Sequence, residues 1–176
     1  MEIRVATVAD CAAMLEIYRP YIEETTVSFE YEVPSLDEFT DRLTAIQSHG
    51  FPWLVAVEDG VVLGYAYASP FHSRTAYRWT ADVTIYLHRD SRGKGLGHLL
   101  YEKLFAILAD LGYRSIYAIV TGQNDVSLRF HKKLGFDTDL VFPQAGYKHG
   151  LWLDVHYLCK FLNDETIVKN GFPKSF

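Results

Sequence analysis

Residues 80–111 constrain this chain more than any other stretch. T-A-D-V-T-I-Y-L at 80–87 has the length and apolar content of a buried strand. Leu96, Leu99, Leu100, Leu104, Ile107, Leu108 and Leu111 then recur at helical spacing. Between them lies Arg89-Asp90-Ser91-Arg92-Gly93-Lys94-Gly95-Leu96-Gly97, where three glycines fall within five residues. Glycine leaves backbone N–H groups uncovered, and a helix start adds unpaired donors and the positive end of a dipole. Strand, glycine-rich turn and helix in that order make a cradle for a diphosphate.

Spacing separates the loop chemistries that use such a cradle. A dinucleotide fingerprint G-x-G-x-x-G begun at Gly93 requires glycine at 98, where His98 stands; begun at Gly95 it meets Leu100. A nucleoside-triphosphate loop G-x-x-x-x-G-K-[ST] on Gly93-Lys94 requires glycine at 88 and a hydroxyl at 95, where the chain has His88 and Gly95. Both fail. The pattern Q/R-x-x-G-x-G/A fits Arg92 through Gly97.

The chain has 176 residues, 49% of them hydrophobic, which suits one domain with one substantial core. A net charge of -5 argues against a general polyanion binder such as a nucleic-acid protein. Arg89, Arg92 and Lys94, with His88 and His98, nevertheless form one local basic stretch, which suits a small anion. Cys11 and Cys159 are too few for a disulfide framework or a zinc site, so no metal is expected and free thiols in a reducing cytoplasm are. The start lacks a leader-like apolar core, and no apolar run approaches the roughly 20 residues of a spanning helix. A soluble, cytoplasmic protein with no membrane partner is the expectation.

Along the chain, a strand at 2–6 precedes Thr7 and Asp10, spaced as in a capping box, and a helix to about Tyr18, before Pro20. Ser35 and Glu38 repeat the signature and open a second helix that Gly50 terminates. Residues 53–57 and 61–69 form a hairpin about Asp59-Gly60. After the central strand and helix, Gly112 is a stop, 115–120 a buried strand, 124–133 a helix, and 137–142 and 152–161 the last strands. The order implies a mixed α/β sheet with helices on both faces. The tail after Asn163 shows no period, so the expected division is a domain at 1–162 and an extension at 163–176.

Arg92 to Gly97 resembles the pyrophosphate loop of the GNAT superfamily of N-acetyltransferases, which bind acetyl-CoA there. Asn124-Asp125-Val126-Ser127-Leu128-Arg129-Phe130-His131-Lys132-Lys133-Leu134-Gly135-Phe136 resembles that superfamily's N-x-x-[AS]-x-x-[FL]-[YH]-x-x-x-G-[FY] stretch. T-T-V-S-F at 25–29, P-W-L-V-A at 52–56, G-Y-A-Y-A at 64–68, R-T-A-Y-R-W-T-A at 74–81 and A-G-Y-K-H-G-L-W-L-D-V at 145–155 are similar to the phosphinothricin N-acetyltransferase family. That family includes enzymes acting on methionine sulfoximine and methionine sulfone. The resemblance runs from about Ile3 to Phe161. It implies a GNAT-like fold with a mostly antiparallel central sheet, acetyl-CoA as co-substrate, a small amino acid as acceptor, and a homodimer.

The resemblance also assigns residues. Cofactor contacts fall to the backbone of Ile85, Tyr86 and Leu87, to Arg92, Gly93, Lys94, Gly95, Leu96, Gly97 and His98, and to Asn124, with an N–H near Ile85 polarising the thioester carbonyl. Phe29, His72, Ser73, Arg74, Asp82, Val83 and Thr84 are the expected acceptor residues, with Arg74 matching a family arginine suited to an anionic group. Asp82 stands where the family carries glutamate and is the candidate base, directly, through water, or only as an orienting group. A shorter arm matters, since about 1 Å of misplacement costs on the order of a hundredfold in rate. His131, histidine in the family too, either exchanges a proton with thiolate or amine or packs beside Phe130. Arg78 reads as a solvated surface residue, core packing rivals an acceptor role for Phe29 and Tyr31, and Lys148 and His149 read as decoration of a glycine-flanked turn. Other acceptors remain open (a protein amine, a polyamine, an aminoglycoside), as does a catalytically weak CoA-binding sensor.

Overall fold

A computed structural model describes residues 1–176, the side chain of residue 170 excepted. Its elements in chain order are β1 (Glu2–Val5), α1 (Cys11–Glu23), α2 (Leu36–Ser48), β2 (Trp53–Glu58), β3 (Val61–Pro70), β4 (Thr80–Leu87), α3 (Leu96–Leu111), β5 (Ser115–Thr121), α4 (Asp125–Lys133), β6 (Thr138–Lys148) and β7 (Leu151–Phe161). Seven strands form one sheet in the order β1-β2-β3-β4-β5-β7-β6. Every neighbouring pair is antiparallel except β4 and β5. Parallel neighbours require a crossover, and α3 supplies it.

Strand alternation divides the core in two. Ala56, Ala66, Ala68, Ala81 and Ala118 pack with Leu100, Leu104 and Leu108 of α3, so small residues line the face that the crossover helix covers. Trp53, Val55 and Tyr65 point the other way, into Met14, Leu15, Tyr18 and Ile22 of α1 and Phe39 and Leu43 of α2. The turn between β2 and β3 has Asp59 at φ 49° and Gly60 at φ 79°, the two positive values a two-residue hairpin needs. No helix of the described residues is long and apolar enough to cross a membrane.

Two elements depart from the sequence expectation. The helix α1 continues through Pro20 to Glu23. Proline forfeits one hydrogen bond there, but Ile17 and Tyr18 before it and Ile22 after it carry the buried stripe across, and burial outweighs the loss. The strand β6 runs on to Lys148, with a register shift between Phe142 and Gly146 that takes up Pro143 on an edge strand. The tail is docked: Trp79 Nε1 donates to the Gly171 carbonyl, Phe172 packs on Trp79, and the Phe176 N–H donates to the Gly50 carbonyl.

The junction of β1 and α1 carries a charge cluster. Arg4 donates to both Asp10 oxygens at 2.8 and 2.7 Å, and the Thr7 N–H and hydroxyl donate to the same carboxylate at 2.8 and 3.0 Å. Asp10 is buried, and Arg4 above all holds its carboxyl down to about 2. A depressed carboxyl contributes stability that is complete above the unfolded value near 4 and fades as pH falls through the folded one. Asp10→Asn should therefore cost about 2 kcal/mol at pH 7 by urea unfolding. The deficit should shrink as pH falls below about 4, and a deficit equal at pH 7 and pH 2.5 would contradict the assignment.

Candidate active site

The parallel ladder of β4 and β5 is short. Thr80, Ala81 and Asp82 pair with Ser115, Ile116 and Tyr117, and among the described residues the two strands share no further pairs. β4 stays with β3 to Leu87, and β5 stays with β7 to Thr121, so the strands splay and open a wedge through the sheet. A cavity of about 500 Å³ fills it, walled by Asp82, Thr84 and Ile85 on one side and Ile119 and Thr121 on the other. Phe29 closes it on the α1 face, Tyr101 and His131 on the α3 face.

Alternation decides which backbone groups enter the wedge. The Leu87 N–H donates to Tyr21 Oη at 3.2 Å and the Leu87 carbonyl accepts from it at 2.7 Å, so Leu87 faces away from β3. His88 N–H donates to the Leu63 carbonyl, which fixes the phase. Val83 and Ile85 share the orientation of Leu87, but the pairing of Asp82 with Tyr117 uses the Val83 N–H in the ladder with β5, so the wedge receives the Val83 carbonyl and the N–H and carbonyl of Ile85, whereas Tyr86 turns its own N–H to the β3 ladder. Of the three expected backbone donors, Ile85 is open, Leu87 is covered by Tyr21, and Tyr86 is used within the sheet.

At the mouth of the wedge, a short turn at Arg89–Ser91 leads into the glycine-rich segment. Gly93 and Gly95 adopt φ 74° and 81°, a region side chains other than glycine rarely occupy. Neither would meet any atom within 4 Å if it carried a Cβ, so the surface above them is open. A Cβ on Gly97 would lie 3.1 Å from the Phe130 ring, which lets α3 and α4 approach closely. Among the described residues, the N–H groups of residues 93–97 have no backbone acceptor. With Arg92 and Lys94 exposed beside them, these donors fit a diphosphate. Asn124 caps α4, its side-chain oxygen accepting from Ser127 N–H, and borders the cavity.

Inside, two polar atoms lack protein partners. Asp82 Oδ1 and Thr121 Oγ1 are buried without a hydrogen bond. Burial pushes the Asp82 carboxyl up to about 7, where a base for neutral chemistry works best. His131 is 2% exposed, and burial pushes its imidazole down to about 4. Its Nδ1 lies 2.8 Å from the Ser127 carbonyl, which can only accept, so Nδ1 carries the hydrogen and Nε2 accepts from the Tyr101 hydroxyl at 3.3 Å. The ring is neutral at pH 7 with both nitrogens engaged.

The remaining expected residues divide. Phe29, Asp82, Val83 and Thr84 line the wedge. His72 and Ser73 lie on the loop between β3 and β4 and border a separate cavity beneath the C-terminal tail, while Arg74 is exposed and lines neither. Three participants had no sequence signal: Tyr21, because a tyrosine one turn past Tyr18 reads as core; Thr121, because strand ends look alike; and Lys148, because a lysine between glycines reads as part of a surface turn.

The chain matches the acetyltransferase (GNAT) domain family over residues 3–157. It is 42% identical to the phosphinothricin N-acetyltransferase of Streptomyces viridochromogenes over 157 residues, covering 89% of this chain and 85% of that one. Identity to the L-methionine sulfoximine/L-methionine sulfone acetyltransferase of Salmonella typhimurium is 36%, over 90% of this chain and 92% of the relative. The fold superposes with a TM-score of 0.90 on a GNAT superfamily phosphinothricin acetyltransferase from Sinorhizobium meliloti, crystallised in complex with acetyl-CoA; the two are 36% identical, over 98% of this chain and 92% of that one. The chain therefore belongs to the GNAT acetyltransferase family. It is an N-acetyltransferase.

A carboxyl raised by burial costs stability once ionised, and the cost grows from pH 4 to about 7. Asp82→Asn should raise the thermal midpoint at pH 8 and leave it nearly unchanged at pH 4. A carbon-13 titration of the aspartates should find one carboxyl near 7, and none above 5 would contradict the assignment.

Proposed function

We propose that this protein transfers acetyl from acetyl-CoA to the amine of a small amino acid of the phosphinothricin or methionine sulfoximine and sulfone type. The observation that carries the reading is the wedge after Asp82, which joins a diphosphate cradle at one end to an unpartnered carboxyl at the other. The residues present fit the co-substrate: free N–H groups at 93–97 for the diphosphate, and the Val83 carbonyl with the N–H and carbonyl of Ile85 along the wedge for an amide-bearing arm. Acetyl-CoA, when bound, supplies the acetyl group as a thioester.

The chain's own groups do the rest. The Ile85 N–H faces the thioester carbonyl and stabilises negative charge on its oxygen. Free amines are mostly protonated at neutral pH, and Asp82, half-buried and titrating near 7, takes the amine proton; the neutral nitrogen bonds to the acetyl carbon as the carbon–sulfur bond breaks, and the second nitrogen proton leaves with the sulfur as the thiol of CoA. Thr121 offers its free hydroxyl to a polar group of the acceptor. His131 acts in the neutral form, holding Tyr101 in the wall of the wedge. The raised Asp82 carboxyl favours catalysis over a silent CoA sensor, which has no use for a base tuned to neutrality.

We further infer a homodimer in the cytoplasm. Leu140, Val141, Phe142, Tyr147 and Trp152 are exposed on or beside the edge strand β6, a surface that a second copy would cover. Cys11 and Cys159 are buried free thiols, consistent with a reducing compartment. Light scattering at micromolar concentration should give twice the chain mass, and a monomer would remove the inference.

Free-thiol release from acetyl-CoA with a panel of such amino acids tests the activity; no turnover on any member sinks the acceptor class. The kcat/KM for the amine should rise with pH through about 7, and Asp82→Asn should lose that limb and fall on the order of a hundredfold or more. Gly95→Asp places bulk and negative charge at the cradle and should abolish acetyl-CoA binding by calorimetry. Normal binding would mean the cradle lies elsewhere.

A further inference from the structure

We propose that Lys148 is a positioning residue for the acceptor, fixing the cavity wall that carries Phe29 without touching acceptor or co-substrate. By sequence Lys148 belongs to a glycine-flanked surface turn. In the structure it ends β6 and is 1% exposed. Its ammonium donates to the Ile22 carbonyl at 2.7 Å and the Ser28 carbonyl at 2.6 Å. Ile22 lies in the last turn of α1, where carbonyls have no partner in the helix and the dipole favours a cation. Ser28 directly precedes Phe29. One cation thus joins the end of α1 to the wall of the cavity across residues 23–27, which contain no helix or strand beyond Glu23.

Two neighbours on β6 act on the same segment. A Cβ on Gly146 would lie 2.2 Å from the Phe29 ring, so the ring rests against bare backbone. The Tyr31 hydroxyl donates to the Tyr147 carbonyl. From the α1 side, the Tyr18 hydroxyl bonds Ser28 Oγ at 2.7 Å. Gly146, Tyr147 and Lys148 therefore each meet the segment that closes the cavity opposite β4. A buried ammonium is expensive to desolvate, and an apolar side chain would fill the space. What the cation adds is direction, since two carbonyl ligands fix where Ser28, and so Phe29, must sit.

The proposal rests on reading the wedge as the acceptor site, and its test separates the two. Wild type, Lys148→Met and Gly146→Ala are compared by amide hydrogen exchange of the free protein and by steady-state kinetics. In Lys148→Met, exchange over residues 23–32 should speed up about tenfold while residues 92–98 are unchanged. In both variants the KM for the amino acid should rise about tenfold, with the KM for acetyl-CoA within about twofold of wild type. Unchanged exchange at 23–32, or a parallel rise of both KM values, overturns the proposal. Should Lys148→Met fail to fold, Gly146→Ala keeps the ammonium and displaces only the ring, and an unchanged amino-acid KM there is equally fatal. A wild-type enzyme that acetylates no amino acid refutes the acceptor reading, and the exchange arm still judges the clamp.

Discussion

The parallel ladder between β4 and β5 ends after Asp82, and the working parts of the molecule follow from that ending. Two strands that separate leave N–H and C=O groups without partners in the middle of a sheet, where unpaired polar groups are costly. The fold tolerates the opening because each strand keeps its other neighbour throughout, β3 for β4 and β7 for β5. Tyr21 satisfies the N–H and carbonyl of Leu87, and the Val83 carbonyl and both backbone groups of Ile85 remain for a ligand. The opening is thus a site shaped to receive another chain-like molecule in place of a strand.

Electrostatics along the wedge runs from cationic to anionic. The mouth carries Arg92, Lys94 and uncovered N–H groups, in a protein whose net charge is -5. The inner end carries Asp82, with one oxygen buried and unpartnered. An acidic protein with one basic mouth attracts a small polyanion there and leaves the acceptor end to cationic amines. Asp82 pays in stability for its position, as functional carboxylates commonly do. His131 contributes no charge: burial leaves it neutral, and its bonds to Ser127 and Tyr101 make it part of the wall between α3 and α4.

Much of this was legible before the structure, for reasons that are local. Residues 80–87 and the helix from 96 needed only hydrophobic spacing; Asp59-Gly60 and Ser35 with Glu38 needed only turn and cap chemistry. The glycine-rich turn was legible because glycine at 93 and 95 is required by its own backbone. What could not be read depends on distance. Pro20 sits inside α1 because burial further along outweighs it, and no local rule weighs that sum. Tyr21 and Lys148 matter through partners 66 and more than 100 residues away, and Thr121 through the lack of any. Arg74 shows the converse, since a matching motif put it near the acceptor and the fold places it, like the expected pocket walls His72 and Ser73, outside the wedge.

The central claim is that one opening holds both reactants, with the amine on the Phe29 side of the sheet and the diphosphate at the helix start. A crystal structure with CoA and methionine sulfone bound together tests it most directly. The account predicts diphosphate oxygens on the N–H groups of residues 93–97, the arm between β4 and β5, and the amine nitrogen within hydrogen-bond reach of Asp82, directly or through one water. An amine bound in the cavity beneath the C-terminal tail, or CoA outside the wedge, would contradict it.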